Sequence, residues 1–119
     1  MERDIDLIRR LLLDLEQNDT NSQITDVEVN KLRYHKRLLI EANLAQGSID
    51  NTLFSNRMPD VTLLRLTWTG HEFIDNYRQD ELWNKIKLDL KDASFDTLLK
   101  LGKEVAESYA RKKLASFLE

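Results

Sequence analysis

The stretch from Val61 to Asp75, VTLLRLTWTGHEFID, passes from a β-prone segment into a helix start with no room for a loop between them. Val61, Thr62, Leu63, Leu64 and Leu66 suit a half-buried strand. Thr67 and Thr69 each carry a helix-capping hydroxyl, and Thr69 with Glu72 has capping-box spacing. Phe73, Ile74 and Tyr77 then open an apolar stripe of helical period. A strand that runs straight into a helix constrains where both elements lie. The rest of the chain must be arranged around that junction.

Upstream, the pattern predicts a helix over about Arg3 to Gln17, capped by Asp4, with Asp6 favourably placed near the positive end of the dipole. Ile5, Ile8, Leu12 and Leu15 share one face, Leu11 lies beside them, and Leu7 and Leu13 lie off it. So wide an apolar surface calls for contact on more than one side, within the fold or with a second chain. Asn18 to Thr25 is a polar loop, with Ile24 able to begin a short strand. A second helix follows from about Asp26 to Ala42, capped by Thr25 or Asp26, with Thr25 and Glu28 at capping-box spacing. At 100° per residue its inner face carries Leu32, His35, Leu38, Leu39 and Ala42, and its outer face Asn30, Arg33, Tyr34, Arg37 and Glu41. Asn43 is suited to the left-handed residue that ends a helix, with Leu44 folding back on the last turn.

Gln46 to Asp60 is a connecting hairpin arm, with Gly47-Ser48 as a turn signal. Ile49 to Phe54 is a weak strand and Ser55 to Asp60 the tip. After the Val61 to Leu66 strand, a helix starts near Trp68 and runs to about Arg78. Gln79 and Asp80 mark an interruption, beyond which Leu82, Trp83, Ile86 and Leu90 continue the stripe. Ser94 caps a final helix from about Phe95 to Ser116. Gly102 falls in the middle of its apolar face, at a cost of about 1 kcal/mol against Ala, which is best explained by close approach of another helix. Both tryptophans read as core anchors.

The expected fold is mainly α with a small β-hairpin: a winged-helix-like domain over residues 1–79 and a C-terminal helical extension over 80–119, packed as one globular unit. A length of 119 residues fits one domain. The charged opening of the chain, the absence of a long apolar run and the lack of Cys predict a cytoplasmic protein with no membrane span. Glycines are few and far apart, so no phosphate-cradling loop is formed. No metal-ligand spacing or nucleophile elbow is present, and the chain is expected to be no enzyme and to carry no cofactor. His35 reads as a core histidine bonded to backbone or carboxylate. His71, with Asp75 four residues on, reads as a structural pair.

Three segments resemble a bacterial and prophage-associated family of unassigned function. They are Arg3-Asp4-Ile5-Asp6-Leu7-Ile8-Arg9, the run from Tyr34 to Leu44, and Arg65-Leu66-Thr67-Trp68-Thr69-Gly70-His71-Glu72-Phe73-Ile74-Asp75. A pattern close to RLTWxGHEFLD is that family's hallmark, and the resemblance extends to Trp83-Asn84-Lys85. It implies a small cytoplasmic protein, often from phage-derived regions, with a winged-helix-like fold and no established activity. Leu38 to Leu44 is also similar to the end of the recognition helix in winged-helix repressors, with Asn43 where Gly is usual. One departure stands out. Only about eleven residues separate Gln17 from Val29, too few for the positioning helix of a standard winged helix.

Lys31, Arg33, Lys36 and Arg37 are the densest basic cluster. With Asn30 and Tyr34 on the second helix and Arg57 at the hairpin tip, they are the candidate nucleic-acid-binding set, since Arg and Lys meet phosphates while Arg and Asn read base edges. The net charge of −3 weighs against nucleic acid. The first expectation is a winged-helix-like DNA-binding or transcription-regulating protein of mobile-element type, with double-stranded DNA as partner and a homodimer formed through terminal helices. The alternative is a protein–protein interaction module, binding a host or phage protein and no nucleic acid. A basic stripe would favour the first, and an exposed apolar patch near the hairpin or last helix the second.

Overall fold

The computed structural model describes residues 1–51, 58–89 and 91–118. The described residues form five helices and one two-stranded antiparallel sheet, a mostly helical α+β fold as expected. The elements run α1 (Ile5–Asn18), α2 (Val29–Glu41), β1 (Ala45–Asp50), β2 (Asp60–Leu66), α3 (Trp68–Tyr77), α4 (Asp80–Asp89) and α5 (Phe95–Leu118). The chain divides into two compact units, Met1–His71 and Glu72–Glu119, with the boundary inside α3. Residues 55–57 of the expected hairpin tip, residues 52–54 of the expected weak strand and Leu90 of the α4 stripe lie outside the described residues, and Asp60, expected in the tip, already belongs to β2.

In the first unit, α1 is capped as its sequence predicts: Asp4 Oδ1 accepts from the Leu7 amide at 3.2 Å. Its buried face is Leu7, Ile8, Leu11, Leu12 and Leu15. Leu7 is therefore inside and Ile5 only half-buried, the reverse of the expected order. Positions 7, 8, 11, 12 and 15 are the i, i+1, i+4, i+5, i+8 set that makes a broad stripe. The loop that follows is closed by Asp14, whose Oδ1 accepts from Asn18 Nδ2 at 3.1 Å and from the Gln23 amide at 2.9 Å. Ile24 is a buried loop anchor, not a strand.

The second helix starts three residues later than expected. Asp26 is held by Arg10 of α1 at 2.6 Å and is not free to cap. Glu28 caps instead, with its two carboxylate oxygens accepting from the Asn30 and Lys31 amides, each at 2.9 Å. These amide bonds lower the Glu28 pKa. Only His35 and Leu39 of the expected inner face are buried; Leu32 and Leu38 are half-buried, and Ala42 is exposed at the C-cap.

The end of α2 is a Schellman turn. Asn43 has φ 57, its amide donates to Ile40 O at 3.0 Å, and the Leu44 amide donates to Leu39 O at 2.9 Å. Leu44 is buried, as folding back on the last turn requires. From there the chain enters β1 directly. The hairpin pairs Asp50 with Asp60 and Ile49 with Val61 at one end, Ala45 with Leu66 at the other. Between them the register shifts, because Gly47 faces Leu63 while Gln46 faces Arg65. Leu64 is the extra residue of a bulge. It breaks the alternation of β2, so that Val61, Leu63 and Leu66 are all buried although Leu66 is three residues past Leu63.

In the second unit, Phe73, Tyr77, Trp83 and Phe95 form an aromatic cluster, with ring centroids 5.0 to 6.1 Å apart. Tyr77 Oη donates to Leu98 O at 2.6 Å, and burial raises the Tyr77 pKa. The interruption at Arg78 and Gln79 separates two helices, α3 and α4. Ser94 caps α5 through a bond from the Thr97 amide to its Oγ at 3.2 Å. A Cβ on Gly102 would meet Asn76 Nδ2 at 3.0 Å and Tyr77 Cε2 at 3.2 Å. The expected close helix approach is therefore made by α3.

Candidate interaction surfaces

The basic cluster of α2 is extensively paired. Lys31 Nζ lies 3.1 Å from Asp4 Oδ2. Arg33 Nε lies 3.6 Å from Asp60 Oδ1, and its Nη1 donates to Met58 O at 3.0 Å. Arg37 Nε donates to Glu41 Oε1 at 3.1 Å. The Arg33 side chain is only 22% exposed. Of the residues expected on the outer face, Arg37 and Glu41 are exposed, whereas Asn30, Arg33 and Tyr34 are half-buried. Arg33 departs from that expectation because its guanidinium reaches the loop end of the hairpin and is held there by Asp60 and the Met58 carbonyl. Tyr34 packs edge-on to His35 at 5.4 Å. Asn30 Oδ1 is buried and has no hydrogen-bond partner among the described residues. Lys36 lines a cavity of about 170 Å³ together with Asp14 and Asp60. Arg57 lies outside the described residues.

His35 is fully buried and bonded on both ring nitrogens. The Asp4 amide donates to Nε2 at 2.9 Å, and Nδ1 lies 2.7 Å from Lys31 O. A carbonyl only accepts and a backbone amide only donates, so the ring is the Nδ1–H tautomer. This is the core histidine the sequence predicted. Beside it, Asp4 has its pKa lowered. Partial burial pulls it upward, but the Lys31 hydrogen bond and charge and the Leu7 and Asp6 amides together outweigh that.

The β2–α3 junction is locked by Thr67 and Gly70 against Asn43 and Leu44. Thr67, not Thr69, is the helix cap: its Oγ1 accepts from the Gly70 amide at 3.1 Å. The same hydroxyl donates to Asn43 O at 2.6 Å, and the Thr67 amide donates to Leu44 O at 3.1 Å. Gly70 lies flat against that Schellman turn, and a Cβ there would collide with the Leu44 carbonyl oxygen. Asp75 is bonded by Arg78 at 3.2 Å, and His71 is exposed.

Trp68 is not core. It is 81% exposed, and Leu64 on the bulge is 54% exposed. The first turn of α3 approaches Leu44 through Gly70, which turns Trp68 outward. Counting back from Phe73, Ile74 and Tyr77 at 100° per residue puts Trp68 on the far side of the helix, a signal the sequence did contain. Nothing local marks Leu64, because its exposure depends on the bulge. Trp83, by contrast, is buried as expected, at 2% exposure.

The second unit has an open groove of about 650 Å³ between α4 and α5, over Leu82, Ile86 and Val105. At its rim Glu81 Oε2 accepts from Tyr109 Oη at 3.2 Å and Lys113 Nζ at 3.3 Å, bonds that lower the Glu81 pKa and raise that of Lys113. Leu114, Phe117 and Leu118 near the end of α5 are exposed. Among the described residues, no group of His, Cys, Asp or Glu is placed to hold a metal ion, and no helix is long and apolar enough to cross a membrane.

These features describe a helical α+β protein whose exposed apolar side chains and paired charges are its most distinctive surface elements. Residues 2–96 match the family described as "Hypothetical protein (DUF2513)", and the chain belongs to that family. It is similar to a protein of Haemophilus influenzae (strain ATCC 51907 / DSM 11121 / KW20 / Rd) described as "Uncharacterized protein". The two are 36% identical over 121 residues, covering 97% of this chain and 100% of the relative. No solved structure matches the chain.

Proposed function

We propose that this protein is a non-enzymatic protein-interaction module on a winged-helix-like framework, and that it engages a host or phage protein through the stretch around Leu64 and Trp68. The observation that carries this reading is the 81% exposure of Trp68 at a helix start whose backbone is pinned by Thr67 and Gly70. An exposed Trp on a rigid element costs little conformational entropy to bury, and Trp is enriched among residues that dominate binding energy. The carboxylate partners of Lys31, Arg33 and Arg37 favour the same reading, since they leave the cluster largely neutralised. The setting is a cytoplasmic protein of mobile-element type. The test compares proteins retained from host lysate by the immobilised wild type and by Trp68→Ala, each shown folded by circular dichroism. A specific protein held by the first and lost by the second is the expected result. An unchanged set overturns the assignment to Trp68.

A second reading is double-stranded DNA binding through α2 and the hairpin by Asn30, Lys31, Arg33, Tyr34, Lys36, Arg37 and Arg57, with a homodimer formed through terminal helices. It is favoured by the order α1, α2, hairpin, α3. Exposed ion pairs such as Arg37–Glu41 are worth only about 0–1 kcal/mol, so phosphate can displace Glu41. Binding to mixed-sequence duplex across a salt series tests it. Steep salt dependence that flattens when Arg33 and Arg37 are both replaced by Ala supports DNA binding. No binding at low salt eliminates it.

A further inference from the structure

We infer that His35 is a proton-operated latch on the start of α1. The imidazole is fully buried and its two bonds fix its protonation pattern: Nδ1–H donates to Lys31 O, and the bare Nε2 accepts the Asp4 amide. A proton arriving at Nε2 takes the lone pair that holds the Asp4 N–H and sets two hydrogens against each other. Proton uptake by His35 and release of the Asp4 backbone are therefore one event. Against the ring lie the Asp4 backbone at the N-cap of α1, the Lys31 backbone in α2 and the edge of Tyr34. The nearby charges are the Asp4 carboxylate and the Lys31 ammonium, themselves paired at 3.1 Å. The pair ties the same two segments together, so unlatching also frees Lys31 and loosens the residue that caps α1. The device is independent of the function proposed above.

The latched state binds one proton fewer than the open state, so acidification favours opening. Where the open state alone is protonated, the opening constant rises about tenfold per pH unit of acidification. The test is nuclear magnetic resonance of the full chain from mildly alkaline to mildly acidic pH. It follows the His35 ring protons and the Asp4 and Leu7 amides, with hydrogen exchange corrected for intrinsic rates. The expected result is one shared midpoint for the ring and both amides, kept in Asp4→Asn, where the carboxylate no longer titrates and the backbone amide remains. A ring that titrates while the Asp4 amide stays protected overturns the latch. So does an acid-induced opening of the same size in folded His35→Gln.

Discussion

The hydroxyl of Thr67 donates to the carbonyl of Asn43 at 2.6 Å across 24 positions of sequence, and accepts the Gly70 amide at 3.1 Å. One side chain thus caps α3 and ties it to the turn that ends α2. Thr67→Ala loses both bonds and is expected to destabilise the protein by about 1–2 kcal/mol. Thr67→Ser, which keeps the hydroxyl, should recover most of that. Urea unfolding midpoints at unchanged slope measure both.

Two glycines in helices should respond differently to the same substitution. At Gly70 a Cβ meets the Leu44 backbone carbonyl, which cannot move without breaking the Schellman turn. Gly70→Ala is expected to cost about 2–3 kcal/mol. At Gly102 the neighbours are the Asn76 and Tyr77 side chains, which can shift slightly. The helix-propensity gain of about 1 kcal/mol then offsets the crowding, leaving Gly102→Ala within about 1 kcal/mol of wild type. Equal losses at the two sites in thermal or urea unfolding would contradict this.

Stability should fall on the acid side partly through Asp4. Its folded pKa lies below the ordinary carboxylate value, so the unfolded chain binds the proton first. The contribution is fully present above the unfolded pKa and is lost as pH falls through the folded one. Asp4→Asn keeps a capping oxygen but removes the titration, so its stability–pH curve should be flatter below the ordinary carboxylate range. Parallel curves for the two proteins would show that Asp4 contributes nothing there.

The two tryptophans should be spectroscopically distinct. Trp83 is 2% exposed and Trp68 81%. Trp68→Phe should leave a blue-shifted emission resistant to iodide. Trp83→Phe should leave a red-shifted, readily quenched one. Similar quenching of both variants would mean that Trp68 is covered in solution, for instance by self-association.

Much of this fold was legible because helix ends are written in local chemistry. Asp4 and Ser94 cap helices through amides three residues on, Asn43 ends one by adopting the left-handed conformation, and Gly102 marks a helix crossing. Each depends on a few neighbouring residues or on one missing side chain, so the sequence by itself determined the element order and most of its boundaries. What tertiary structure decided turns on partners distant in sequence. Arg10 takes Asp26 and hands the capping of α2 to Glu28; Asp4 and Asp60 neutralise Lys31 and Arg33; the bulge exposes Leu64; and the docking of Gly70 on Leu44 turns Trp68 outward. A charge has no fixed sign of effect, and an apolar side chain no fixed side, until the chain brings a partner to it.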